Sequence, residues 1–228
     1  MINNLKFFFD KNTFTRIITG IFFVVPFVLC IIKGGYLFIA YFLLILSLLL
    51  YELNKVKLKK NNLMIKFTLI SLIILSFFHF IFLRIANDEN IVLYLLFIIF
   101  SIWIFDSFSF IGGRLIGGKK LMPSVSPNKT YSGLLAGFLS ILIFSLVISY
   151  FYNTNYKLFL LGALIIGFVS FLGDGLESYF KRYLNIKDFS NFLPGHGGFL
   201  DRMDAFIFIF FVHFIAIAFN FNLIILYV

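Results

Sequence analysis

Seven apolar runs divide the chain, at about residues 17–32, 36–51, 67–86, 91–111, 133–152, 158–173 and 203–219. Most approach the roughly 20 residues that a helix needs to cross a bilayer core. They are apolar all round rather than along one stripe, so the core of a small soluble domain could not bury them. Of the 228 residues, 61% are hydrophobic and 13% charged, against about 45–50% and 25% in soluble domains. The expected fold class is all-α, a polytopic membrane protein with about seven transmembrane helices. The first two runs are short and meet at Lys33-Gly34-Gly35, which predicts a tight helical hairpin or a broken pair. Cys30 is the lone cysteine, has no disulfide partner and reads as a small core residue. No A-x-A-like cleavage site follows the first run, so no signal peptide is expected.

Charge fixes an expected orientation. With the N-terminus in the cytoplasm and seven alternating spans, every Lys and Arg except Lys33, Arg84 and Lys157 falls on the cytoplasmic side. That is the positive-inside pattern. It accounts for much of the net charge of +9 without nucleic acid as a partner.

Acidic residues contribute little to orientation, so their placement needs another cause. Asp10, Glu52, Asp88 and Glu89 flank spans or lie in an outer loop, and are expected to be solvated. Asp106, Asp174, Glu177, Asp188, Asp201 and Asp204 all fall in the cytoplasmic half of the second part of the chain. Asp106 interrupts an apolar run, where a carboxylate at mid-membrane costs about 2.5–3.5 kcal/mol on insertion scales. It therefore calls for a partner or a water-filled cavity. Asp201 and Asp204 are three apart and share a helix face. Carboxylates held together repel unless a cation lies between them, and hard oxygen donors suit Mg²⁺. The plainer alternative is that they favour a helix N-terminus.

Two loops add phosphate-binding chemistry. Gly195-His196-Gly197-Gly198 precedes the last run, and glycines there let backbone N–H groups approach an anion. Lys181 and Arg182 bring positive charge. The other loop, Gly112–Gly133, carries Ser126, Lys129, Thr130 and Ser132 without acidic residues. It reads as a phosphate-binding loop or a solvated basic loop. Its Gly113-x4-Gly118-Lys119 run is not a P-loop, because Lys120 stands where Ser or Thr is required. Metal-binding carboxylates, cations and glycine turns are the parts of a phosphoryl- or nucleotidyl-transfer site. The chain accordingly divides into N-terminal transmembrane helices, 1–90, and a C-terminal catalytic transmembrane region, 91–228.

The sequence resembles the phosphatidate cytidylyltransferase (CDP-diacylglycerol synthase) family. The family's long signature is matched by Ser178, Lys181, Arg182, Lys187, Asp188, His196, Gly197, Gly198, Asp201, Arg202 and Asp204, with few free positions. Asp174 falls where the family has an Asp shortly before it. Ser126-Pro127-Asn128-Lys129-Thr130 resembles the family's Ser-Pro-Lys-Lys-Thr loop, with Asn128 in place of a Lys. Ser132 replaces a Glu common in the family.

The resemblance implies transfer of CMP from CTP to phosphatidate, giving CDP-diacylglycerol and pyrophosphate in phospholipid biosynthesis. It implies Mg²⁺ dependence, room for a second monovalent or divalent cation, and a homodimer. The site is then expected at the cytoplasmic face of the cell (inner) membrane. In that reading Asp174, Asp201 and Asp204 hold metal. Lys181, Arg182, His196 and Arg202 act at the phosphates. Ser126, Lys129 and Thr130, with Ser178, Lys187, Asp188, Gly197 and Gly198, bind substrate, and Asp106 supports the metal. Two rivals remain at this stage. A CDP-alcohol phosphotransferase needs Ala-Arg after Asp174-Gly175, and two aspartates four apart. An ion-coupled transporter needs midplane carboxylates, often in repeated halves.

Overall fold

The computed structural model describes residues 11–56, 63–85, 89–190, 192 and 197–219. These contain seven helices: α1 (Lys11–Lys33), α2 (Gly35–Lys55), α3 (Leu63–Ile85), α4 (Glu89–Leu115), α5 (Tyr131–Phe151), α6 (Tyr156–Tyr183) and α7 (Leu200–Ala218). Five, α2 through α6, are long and apolar enough to cross a membrane. Helix α1 carries the apolar run at about 17–32, and α7 carries Asp201, Arg202 and Asp204 in its first turns. The chain is an all-α, multi-pass membrane protein.

The first two runs form a hairpin of helices. Gly34 separates them with φ +64°, and across the turn the Phe27 ring packs on those of Phe42 and Tyr41, with centroids 4.9 and 6.5 Å away. Arg84, at the end of α3, closes this corner. Its Nε donates to the Ile31 carbonyl at 2.6 Å and its Nη2 to that of Ile32 at 3.1 Å, taking up carbonyls that the helix end leaves unpaired.

Phenylalanine builds the core. Phe27, Phe42, Phe80, Phe206 and Phe210 form a chain of ring contacts with centroids 4.6–6.0 Å apart. The contacts run from α1 and α2 through α3 to α7, so the helix bearing Asp201 and Asp204 is anchored on the N-terminal helices. His79 of α3 and His213 of α7 are buried beside this core, as their apolar surroundings predict, with Nε2 and Nδ1 2.5 Å apart. Cys30 is buried too.

Helices α4 and α5 touch backbone to backbone. A Cβ on Gly133 would lie 2.5 Å from the Ser109 carbonyl oxygen and 3.1 Å from the Gly113 Cα. Such close approach is how small residues pack helices where lipid provides no hydrophobic drive. Between these helices the basic loop folds as an antiparallel hairpin of β1 (Lys120–Met122) and β2 (Ser126–Thr130). The sequence reading did not anticipate strands here.

Candidate active site

One cavity of about 930 Å³ gathers the charged parts of the chain. The last turns of α4 and α6, the first turns of α7, the β-hairpin and Asp188 all contribute. It is lined by six carboxylates (Asp106, Asp174, Glu177, Asp188, Asp201 and Asp204) and five cationic side chains (Arg114, Lys120, Lys129, Lys181 and Arg202). With both signs so well represented, it can take a cation and a polyanion together. Its apolar wall comes from Phe23 and Val24 of α1, Trp103, Phe105 and Phe110 of α4, Leu134 of α5 and Phe171 of α6.

Within the cavity Asp174, Glu177 and Asp204 offer carboxylate oxygens that all lie within 4.8 Å of one another. Asp174 and Glu177 are three apart on α6 and so share a face, and Asp204 meets them from α7. Glu177 is 4% exposed. Its Oε1 is ion-paired with the Lys181 ammonium 3.3 Å away. Three converging carboxylates with only part of their charge offset by Lys181 and Lys129 fit a hard divalent cation. Glu177 was among the unexplained acids of the sequence but not among its expected ligands. The signal was available, since the Asp174-x-x-Glu177 spacing equals that of Asp201 and Asp204.

Asp201 is engaged differently. Its Oδ1 accepts from Lys181 Nζ at 3.0 Å, and its Oδ2 accepts from the Gly198 N–H at 2.8 Å and the Phe189 N–H at 3.2 Å. It thus faces the cavity while pinning the loop before α7. Asp204 Oδ1 accepts from the Ala205 N–H at 2.7 Å.

The hairpin is fastened to α6 by two contacts. Lys129 Nζ lies 2.6 Å from Asp174 Oδ2, and Arg182 Nε donates to the Val125 carbonyl at 3.4 Å. Thr130 is the N-cap of α5, its Oγ1 accepting from the Gly133 N–H at 3.1 Å. Ser132 donates to the Gly117 carbonyl, so the residue that replaces the family's Glu ties the glycine turn to α5.

Asp106, Lys129, Thr130, Asp174, Lys181, Asp188, Asp201, Arg202 and Asp204 thus line one cavity, as do Glu177 and Asn128. Arg182 turns to the hairpin, and Ser178 Oγ donates to Asp174 Oδ1 at 3.4 Å from behind. Lys187 is exposed and Ser126 lies on β2; neither lines the cavity. Gly197 and Gly198 sit just before α7. His196 lies outside the described residues.

The two glycines have separate reasons. Gly197 has φ +84°, in the left-handed region. A Cβ on Gly198 would collide with Glu52 Oε1 and lie 2.9 Å from Asp201 Oδ2. The Gly198 N–H is taken by the protein's own Asp201 carboxylate, and Glu52 crowds the same glycine. That corrects the expectation for Glu52, which is 5% exposed rather than solvated. Asp10 and Asp88 fall outside the described residues.

The sequence model of the cytidylyltransferase family matches residues 56–220. The chain belongs to this family. Among related proteins, the phosphatidate cytidylyltransferase of Rickettsia bellii is 37% identical over 210 residues, 86% of this chain and 87% of that protein. That of Staphylococcus haemolyticus is 43% identical over 118 residues, which are 51% of this chain and 45% of the relative. The chain thus aligns with less than half the length of the staphylococcal relative. Family membership does not favour the phosphotransferase and transporter readings.

Proposed function

We propose that the protein transfers CMP from CTP to phosphatidate, forming CDP-diacylglycerol and pyrophosphate. One observation carries the reading: the Asp174, Glu177 and Asp204 group shares a cavity with Lys129, Lys181 and Arg202, beside an apolar wall. The names of the relatives support it. A cavity of this volume is at the upper end of the roughly 300–1,000 Å³ usual for ligand sites, as two substrates require.

A phosphatidate oxygen attacks the α-phosphorus of CTP. A P–O bond forms there, and the bond to the bridging oxygen of the β-phosphate breaks, with its electron pair leaving on pyrophosphate. The nucleophile is already an anion, so the side chains position groups and neutralise charge rather than remove a proton. Asp174, Glu177 and Asp204 would hold Mg²⁺, which supplies charge neutralisation on the phosphates when bound. Asp201 holds the loop and Lys181 in register beside it. Lys129 and Arg202 grip the nucleotide phosphates or the departing pyrophosphate, with Thr130 and Asn128 at the edge. Asp106 supports the cationic side chains from α4. The aromatic wall receives the diacylglycerol end of the lipid.

The site faces the cytoplasm in this reading, at the inner membrane, since positive charge crowds the side where CTP is available. The same reading includes a homodimer and leaves room for a second cation. The deciding experiment measures pyrophosphate release by the purified protein with CTP and Mg²⁺, with and without phosphatidate. Release that needs phosphatidate and yields CDP-diacylglycerol supports the reading, and release without lipid product overturns it. Cross-linking in native membranes checks the dimer, and labelling of a Ser190→Cys variant from either side checks the orientation.

A further inference from the structure

Glu52 is a buried acid that the proposed chemistry does not use. It lies near the end of α2, just before the segment that the family model matches. Its Oε2 accepts from the Leu200 N–H at 2.8 Å, and its Oε1 accepts from the Phe199 N–H at 3.1 Å and from the Ser190 hydroxyl.

These contacts answer a need at the start of α7. Phe199 holds the N-cap position and provides no side-chain acceptor. The first N–H groups of a helix have no partner within it, and one left buried and unpaired costs about 1–3 kcal/mol. Glu52 supplies the missing cap from 147 residues away, and its charge faces the positive end of the helix dipole. Through Ser190 it also holds the loop that leads to the helix. Asp201 grips the same loop at Phe189 and Gly198. The two carboxylates meet across Gly198, where a side chain would strike both.

We propose that Glu52 is a positioning residue for CMP transfer, fixing the start of α7 so that Asp201 and Asp204 face the cavity. The inference rests on the function proposed above. Asp204 is one helical turn beyond Leu200, so a displaced helix start moves its carboxylate with it. A misplacement of about 1 Å can cost on the order of 10²-fold in rate.

The test compares the full chain with its Glu52→Gln and Glu52→Asp variants in lipid nanodiscs. Three quantities are measured: CDP-diacylglycerol formation, amide exchange across residues 197–204, and thermal melting. Gln keeps the shape but turns one acceptor into a donor opposite a backbone N–H. The expected result is at least a tenfold fall in kcat with little change in the KM for CTP. Exchange at 197–204 is expected to rise at least tenfold while α5 stays protected. Glu52→Asp, which keeps the charge, recovers part of both. Unchanged kcat and exchange in Glu52→Gln would overturn the role, as would a loss of activity that only follows the folded fraction. If Glu52→Gln does not fold, Ser190→Ala removes one of its partners. Faster exchange with lowered kcat is then expected, and no change in either overturns the role. Wild-type protein that makes no CDP-diacylglycerol overturns the functional reading and the positioning role together. An active wild type matched by Glu52→Gln overturns the positioning role alone.

Discussion

Lys129 Nζ and Asp174 Oδ2 are 2.6 Å apart, so the β-hairpin is tethered to α6 by a carboxylate of the acidic group. One ammonium therefore serves two ends, holding the hairpin against α6 and placing positive charge in the cavity. Lys129→Met is expected to lower CDP-diacylglycerol formation about 10²–10³-fold, the scale for losing one preorganised charge-stabilising group. The hairpin should also become easier to cut in limited proteolysis. Turnover within twofold of wild type would remove Lys129 from the phosphate site.

Glu177 distinguishes two versions of the metal set. If Asp174, Glu177 and Asp204 hold the cation, Glu177→Gln raises the Mg²⁺ or Mn²⁺ concentration for half-maximal activity. The expected change is at least the roughly 10–100-fold that loss of an outer-shell partner costs. Asp201→Asn in the same titration should act mainly on stability and on amide exchange at Gly198, whose N–H its carboxylate accepts. A large shift for Asp201→Asn and none for Glu177→Gln would restore the ligand set read from the sequence.

Asp204 leads to the most direct test of metal dependence. Its carboxylate comes from a different helix than Asp174 and Glu177, so the group closes only when α6 and α7 are packed. Asp204→Asn is expected to lower activity by about 10²-fold or more while melting stays near wild type. EDTA should abolish wild-type activity, and added Mg²⁺ should restore it. Full activity after EDTA dialysis would contradict the cation.

Much of this site was legible in the sequence because membrane chains hide little. Apolar runs set the helices, and charges inside or beside them stand out against a uniform background. Asp106, Asp174, Asp201 and Asp204 were singled out on that ground, and all line the cavity. Glu52 was misread for the same reason. It closes an apolar run beside lysines, which looks like a solvated span end. Its partners are backbone N–H groups almost 150 residues away, and a backbone donor leaves no mark in a sequence. The β-hairpin was missed because its short strands, Lys-Leu-Met and Ser-Pro-Asn-Lys-Thr, carry no alternating apolar pattern. It is held by the Arg182 and Lys129 contacts to α6 and not by a core of its own.

Arg84 and Gly34 make one device at the far end of the bundle from α2's Glu52, and their variants should not be additive. Arg84 is 6% exposed and caps the Ile31 and Ile32 carbonyls. Hydrogen bonds to charged groups are worth about 1.5–3 kcal/mol, so Arg84→Met should lower the melting temperature by several degrees in detergent. Gly34→Ala has two costs. At φ +64°, ψ −152°, a conformation open essentially to glycine alone, a Cβ is strained by roughly 1–3 kcal/mol, and here it would also sit 2.8 Å from the Arg84 Cζ, forcing the guanidinium off its carbonyls. Once Arg84 is gone only the backbone strain remains, so Gly34→Ala should cost less in the Arg84→Met background than in wild type. Melting temperatures of the two single variants and the double variant measure this coupling. Additive shifts would show that Gly34 and Arg84 act independently.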